Sequence, residues 1–294
     1  MIYKTKIDTF ELKDIFDCGQ CFRWNEEPNG SYTGIFSNCV LNVEKSLDEI
    51  IFNGIMFENN KEIDDKDVFK KNIVNYFDLN RDYSKIKNTL SKVDENLKLS
   101  IEYGNGIRIL NQDLWETIIS FIISANNNIP RIKVLIERLS KQYGNEIIFH
   151  GKKYYTFPTP KQLSKASVND LRLLGLGFRD VRVYETTKLI FENKVNLEKL
   201  NTINTNDARE VLLTLPGIGP KVADCVLLFS TLKRFDVFPI DVWVRRVMND
   251  LYIHNKEENK VNKKDIQKLA DEKFGNLQGI AQQYLFYWKR ENTA

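Results

Sequence analysis

The rhythm of apolar and polar positions changes near residue 65 and divides the chain. Before it, short apolar runs are broken by turn residues, as in paired strands. Phe22-Arg23-Trp24 leads into a turn over residues 25–30 and Ser31-Tyr32-Thr33-Gly34-Ile35-Phe36 follows, which predicts a hairpin. Val40 to Val43 and Ile50 to Phe57 continue in the same style. From Asp65 the spacing is helical, with Val68, Ile73, Tyr76 and Phe77 predicted to face inward. Gly104-Asn105-Gly106 predicts a hinge. Beyond it Leu110, Leu114, Ile118, Phe121 and Ile122 recur at helical spacing, too apolar for a surface helix, which predicts a central one. It stops at Asn126-Asn127-Asn128, and Pro130 opens the next helix in its first turn. Phe157-Pro158-Thr159-Pro160 is a rigid connection before further short helices. The fold class predicted is α+β. Residues 1–103 form an N-terminal antiparallel β-sheet domain with helices, and residues 104–294 a mainly α-helical region.

Composition narrows the functional classes. At 294 residues the chain has room for about two domains of ~150 residues. Hydrophobic residues at 42% and charged residues at 28% exclude intrinsic disorder, collagen-like repeats and a disulfide scaffold. The apolar stretch Ile118 to Ala125 is interrupted by Ser120 and Ser124 and is too short to span a bilayer. The opening MIYKTKIDTF has no apolar run of the kind a secretory signal needs. With four cysteines, the chain reads as cytoplasmic, and no membrane partner is expected. Cys18-x-x-Cys21 supplies half of a structural zinc site. Only Cys39 is near, and His150 and His254 are remote, so neither metal nor cofactor is expected.

The net charge of +3 conceals an asymmetry, −5 over residues 1–103 and +8 over residues 104–294. An anionic partner, most commonly nucleic acid, favours such a distribution, although +8 over so long a stretch is also ordinary for a solvated surface.

The most informative stretch is Leu215-Pro216-Gly217-Ile218-Gly219-Pro220-Lys221-Val222-Ala223-Asp224. A helix with Leu212 and Leu213 on its inner face runs into Pro216, two glycines follow, and a second helix begins. Gly217 and Gly219 permit a tight turn with bare backbone, so amides at the helix N-terminus can approach an anion. This predicts a helix-hairpin-helix over about residues 206–232, a device that holds a DNA phosphate without reading sequence. Lys221 falls in the first turn of the second helix, where the macrodipole disfavours positive charge. Partial burial there is expected to lower its pKa further, and a neutral amine is a nucleophile. Downstream, Phe238-Pro239-Ile240-Asp241-Val242-Trp243 places Asp241 just before a helical run, as an N-cap that also fixes a carboxylate. An amine and a fixed carboxylate suit substitution at a sugar C1′, where an oxocarbenium-like transition state needs a nearby negative charge. A non-catalytic DNA grip or a helical interaction scaffold would leave that pair unexplained.

At these residues the chain resembles the helix-hairpin-helix DNA glycosylases with a Gly/Pro-rich loop and a downstream Asp, and within them the 8-oxoguanine DNA glycosylases. The matches are Gly19-Gln20-Cys21-Phe22-Arg23-Trp24, Ser124-Ala125-Asn126-Asn127-Asn128-Ile129, Leu173-Leu174-Gly175-Leu176-Gly177-Phe178-Arg179, Lys221-Val222-Ala223-Asp224-Cys225, and Ala281-Gln282 with Leu285-Phe286. The resemblance implies a bifunctional glycosylase and lyase, acting as a monomer on double-stranded DNA with 8-oxoguanine opposite cytosine. Lys221 would attack C1′ and form a Schiff base, and Asp241 would stabilise the developing charge. Phe286 and Cys225 would sandwich the flipped base. Gln282 would bond its Watson–Crick edge, and the Gly19 carbonyl would accept from N7–H. Asn126 would fill the gap in the duplex, Arg131 and Arg179 would read the orphaned cytosine, and Phe178 would wedge beside it. Gly217 and Gly219 would hold the backbone. Two positions depart from the family pattern. Trp243 stands where a phosphate-contacting His is common and Lys289 where its supporting Asp is common, so phosphate gripping is expected to be rearranged, with Lys289 offering a charge. No Cys follows Cys225, which excludes the iron–sulfur cluster of the pyrimidine-repairing relatives.

Overall fold

The computed structural model describes residues 1–292 except 48, 59, 60, 256 and 258–260. The N-terminal runs pair as one antiparallel sheet of β1 (Ile2–Lys6), β2 (Trp24–Glu26), β3 (Tyr32–Phe36), β4 (Cys39–Ser46), β5 (Glu49–Glu58) and β6 (Lys61–Ile63). Their order is β1-β5-β4-β3-β2, with β6 pairing β5 beyond the end of β1. The hairpin places Trp24 opposite Gly34 and Glu26 opposite Tyr32, so pairing runs further into the turn than the sequence suggested. Gly34 is required there: a Cβ would lie 2.3 Å from the Trp24 ring. Burial alternates along β5, with Ile50, Phe52 and Met56 inward, as expected when one face of a sheet is covered.

Helices α1 (Leu12–Phe16) and α2 (Lys66–Tyr76) cover that face, packing Ile15, Phe16, Phe69 and Ile73 against Trp24, Tyr32, Leu41 and Phe52. Asp65 caps α2 by accepting from the Asp67 and Val68 amides. Val68, predicted to face inward, is 41% exposed, and Phe69 takes the inner position. Phe69, Ile73 and Tyr76 form one stripe, and Val68 is a single residue off it. Helices α3 (Tyr83–Leu90) and α4 (Glu95–Tyr103) leave the sheet and send Leu90, Leu97 and Ile101 into the core of the helical region. Residues 104–106, expected as a hinge, are hydrogen-bonded to α1 and α3. The Gly106 amide donates to Asp14 at 2.9 Å and the Lys87 ammonium to the Asn105 carbonyl at 2.9 Å.

The central helix is α5 (Leu114–Ser124), capped by Asp113 and buried at most of its positions. Leu110 precedes it and lies in the sheet core instead, which corrects its predicted place in the helix. Helix α6 (Ile129–Tyr143) starts as predicted, with Asn128 as its cap and Pro130 in its first turn. A small hairpin of β7 (Glu146–Phe149) and β8 (Lys152–Tyr155) lays Ile147 and Phe149 on Ile35 and Val40, covering the outer sheet face. The chain continues through α7 (Pro160–Leu163), α8 (Val168–Leu173), α9 (Asp180–Phe191), α10 (Thr205–Leu213), α11 (Pro220–Phe229), α12 (Val242–Met248), α13 (Lys263–Phe274) and α14 (Gln278–Asn292). Among the described residues no helix is long and apolar enough to cross a membrane. The loop from α1 to β2 contributes Cys18 and Phe22 to the helical core and Cys21 to the sheet core, so it threads between the two.

Candidate active site

Helices α10 and α11 pack as the predicted hairpin. In the turn between them the Ile218 amide donates to the Leu215 carbonyl and the Thr186 hydroxyl to the Pro216 carbonyl. Gly217 has φ +87°, and a Cβ there would stand 2.9 Å from the Arg182 side chain. Gly219 caps α11 with extended backbone and no side-chain hydrogen bond, and a Cβ on it would meet nothing within 4 Å. The protein itself therefore does not require a glycine at 219. The open space lies at the positive end of α11, where a phosphate can approach.

Lys221 and Cys225 stand one turn apart on α11. They share a cavity of about 50 Å³ with Gly19 of the α1–β2 loop, Asp241, and Gln282 and Phe286 of α14. Six residues singled out from separate stretches of sequence are thus brought together. Asp241 caps α12, its Oδ1 accepting from the Val244 amide at 2.8 Å, which fixes the carboxylate. The Lys221 ammonium lies 5.5 Å from the centre of the Phe121 ring. A larger cavity of about 610 Å³ opens on the other side of Lys221, between the hairpin and the start of α13, and carries Lys263 and Lys264.

The electrostatics of Lys221 correct the sequence expectation. The Cys225 sulfur and then Asp241 hold its pKa above the ordinary lysine value, overcoming the opposite effect of burial. The Cys225 thiol is itself pushed up to about 11 by burial, so at neutral pH it is a neutral thiol beside an ammonium. The amine is protonated in the DNA-free protein and has to lose a proton before it can attack.

The loop carrying Gly19 is held by glutamines that the sequence analysis did not single out. The Gln20 side chain, fully buried, donates to the Ile15 and Arg108 carbonyls and accepts from the Leu110 amide. Gln112 donates to the Gln20 carbonyl at 2.7 Å and to the Phe229 carbonyl at 3.0 Å. Gln283 donates to the Cys18 carbonyl at 2.5 Å, and Arg290 to the Asp17 carbonyl at 2.5 Å. The Gly19 carbonyl has no hydrogen-bond partner among the described residues. Gly19 has φ +86°, and a Cβ on it would stand 3.6 Å from Phe286 Cε1. The only local signal for these clamps was Gln20, adjacent to Gly19 in the matched motif.

Outside the cavity, Asn126 is exposed with a left-handed φ of +51°, Arg131 is exposed, and Phe178 is 54% exposed. Arg179 differs from the reader of an orphaned base that the resemblance implies. It is 4% exposed and donates to the Ala125, Asn126 and Leu176 carbonyls, so in this state it shapes the Asn126 loop. Its guanidinium and that of Arg182 lie 4.3 and 5.1 Å from the Phe178 ring centre. At the two departures, the Trp243 indole N–H is buried without a hydrogen-bond partner, and Lys289 pairs with Asp250 at 3.3 Å. All four cysteines are free, and among the described residues no group of three His, Cys, Asp or Glu could hold a metal. Cys18 and Cys21 donate instead to the Ile15 and Phe16 carbonyls.

Two family models match the chain in succession and meet inside α5. Residues 2–118 match the 8-oxoguanine DNA glycosylase N-terminal domain, and residues 119–273 the HhH-GPD superfamily base excision DNA repair protein. The chain is 33% identical to a probable N-glycosylase/DNA lyase of Methanothermobacter thermautotrophicus over 68% of each chain. It is 33% identical to the N-glycosylase/DNA lyase of Saccharomyces cerevisiae over 80% of this chain and 66% of that one. A solved structure of the Clostridium acetobutylicum 8-oxoguanine glycosylase/lyase, in complex with double-stranded DNA containing cytosine opposite 8-oxoguanine, superposes with a TM-score of 0.89. It is 42% identical and covers 100% of this chain and 99% of that one.

Proposed function

Because the chain belongs to the 8-oxoguanine DNA glycosylase family, a branch of the HhH-GPD base-excision repair superfamily, we propose that the Lys221–Asp241 cavity excises 8-oxoguanine from opposite cytosine in duplex DNA. The family's activity is that of a bifunctional DNA glycosylase and lyase. The observation that carries the proposal is the convergence of Lys221, Asp241, Gly19, Cys225, Gln282 and Phe286 on one cavity.

The uncapped end of α11, at Gly219, receives a backbone phosphate, and Lys263 and Lys264 extend the basic surface beside it. The damaged nucleotide leaves the stack, Asn126 fills the gap it leaves, and Phe178 wedges beside the orphaned cytosine. A cavity of about 50 Å³ has space for a water or two, not a purine. Phe286 and Cys225 therefore part as the base slides between them. Gln282 bonds the Watson–Crick edge, and the free Gly19 carbonyl accepts from N7–H. Guanine carries a bare acceptor at N7, which that carbonyl repels.

Lys221, once deprotonated, attacks C1′, and the base departs with the electrons of the glycosidic bond and gains a proton. The Asp241 carboxylate stabilises the positive charge that develops on the sugar. Ring opening converts the adduct into a Schiff base. Loss of a C2′ proton then expels the 3′ phosphate and nicks the strand. Opposite the lesion, Arg131 reads cytosine, and Arg179 joins it by exchanging its carbonyl partners for the base edge. An enzyme repairing chromosomal DNA would act in the cytoplasm, on the nucleoid in a bacterium. Borohydride trapping of the Lys221 Schiff base tests the proposal.

A further inference from the structure

Arg290 lies one helical turn beyond Phe286 on α14, and its guanidinium carbon is 5.5 Å from the Phe286 ring centre. Its donors can be accounted for one by one. Nε donates to Glu291 at 3.0 Å, and Nη2 donates to the Asp17 carbonyl at 2.5 Å and pairs with Glu291 at 2.9 Å. Nη1 is buried and has no hydrogen-bond partner. It stands 3.6 Å from the point where a side chain on Gly19 would begin, the same separation as Phe286 Cε1. A planar guanidinium anchored through its other two nitrogens cannot swing that group away. Gly19 thus brings to the cavity a carbonyl acceptor without a donor, and just behind the cavity lining Arg290 holds a buried N–H donor without an acceptor.

We infer that Arg290 Nη1 donates a hydrogen bond to the C8 carbonyl of the oxidised base while the Gly19 carbonyl accepts from N7–H. This rests on the proposed function of the same cavity. The N7–C8 edge of 8-oxoguanine presents a donor beside an acceptor, and the protein presents an acceptor beside a donor. Guanine presents an acceptor at N7 and C–H at C8, so both protein groups stay unmet when it enters. An unmet buried donor on a charged group costs more than a neutral one. Recognition by Arg290 thus adds a second point of discrimination to the one at Gly19.

The test compares single-turnover excision of 8-oxoguanine and of 8-thioguanine, each opposite cytosine, by wild type, Arg290→Met and Arg290→Lys. The thione keeps N7–H and replaces the C8 oxygen with a weak acceptor. Active fractions are fixed by borohydride trapping on a duplex with a preformed abasic site, which has no base to recognise, so partial misfolding does not enter the comparison. The expected result is a fall of about ten- to hundredfold on 8-oxoguanine in Arg290→Met, the size of one charged hydrogen bond. On 8-thioguanine the fall is below about threefold, and the preference of wild type for oxygen over sulfur collapses. Equal losses on both lesions would mean that Arg290 only holds the Asp17 carbonyl, and would overturn the inference, as would an unchanged rate on 8-oxoguanine. Wild type that traps on the abasic duplex but releases no 8-oxoguanine contradicts the proposed function and this inference with it. Wild-type activity with an unchanged preference in the variants overturns this inference alone.

Discussion

Gln283 Nε2 donates to the Cys18 carbonyl at 2.5 Å, tying α14 to the Gly19 loop across 265 positions of sequence. Both residues are buried, so Gln283→Ala leaves a carbonyl without a donor. The expected loss of stability is about 1–3 kcal/mol, read from urea unfolding. Excision of 8-oxoguanine is expected to fall about ten- to hundredfold because the Gly19 carbonyl is no longer held in place. Trapping on a preformed abasic site should stay near wild type. Lost stability with unchanged excision would show that the clamp serves the fold alone.

The two hairpin glycines separate by role. Gly217→Ala meets both a φ of +87° and the Arg182 side chain, so it is expected to lower the melting temperature. Gly219→Ala meets neither strain nor a protein neighbour, since its backbone is extended and its surroundings are open. Its melting temperature should match wild type, while affinity for any duplex, damaged or not, falls about tenfold as the methyl blocks phosphate approach. Unchanged affinity in Gly219→Ala would remove the hairpin from the DNA interface.

Asp241 caps α12 and faces the cavity, and Asn caps a helix about as well as Asp. Asp241→Asn should therefore keep its stability to within about 0.5 kcal/mol. Removing the charge should slow base excision by about 10²–10³. Adduct formation with a preformed abasic site is spared, because no oxocarbenium-like charge develops there. Equal losses on the two substrates would assign Asp241 to the amine instead.

Alkaline stability follows from the same cavity. The Cys225 thiol, pushed up to about 11 by burial against an ordinary value of 9.0, keeps its proton in the folded chain while the unfolded chain releases it. Its contribution is full below pH 9 and is lost as pH rises from 9 through 11. Lys221, raised by Cys225 and Asp241, adds stability that is full below its ordinary value of 10.5 and is lost as pH rises through its folded pKa. The melting-temperature gap between wild type and Cys225→Ala should narrow by about 3 °C or more from pH 8.5 to pH 10.5, because the variant lacks the titrating thiol. A gap independent of pH over that range would contradict it.

How legible the molecule was in its sequence depended on the range of the interactions. The hairpin at Leu215–Pro220, the start of α6 near Pro130 and the strand pair around residues 25–30 are set by neighbouring residues, and local pattern located each of them. Val68 and Leu110 were misplaced because an adjacent apolar residue, or a sheet elsewhere in the chain, decides which side chain is covered. The direction of the Lys221 shift was missed for a similar reason. Burial of Lys221 was anticipated and Cys225 lies one turn along the same helix, whereas the approach of Asp241, twenty residues downstream, is made only in the fold. Gln112, Gln283 and Arg290 were silent because their partners are mostly backbone carbonyls far away in sequence, which no spacing encodes. Arg179, an ordinary surface arginine by type, is buried by the same kind of contact.

Lys221 is expected to become covalently attached to the sugar of an 8-oxoguanine nucleotide. A labelled duplex with one 8-oxoguanine opposite cytosine, incubated with the protein and borohydride and followed by peptide mapping, tests it directly. A protein–DNA adduct is expected at Lys221, formed only with the damaged duplex and absent in Lys221→Gln. An adduct that persists in Lys221→Gln, or no adduct from wild type that binds the duplex, would contradict it.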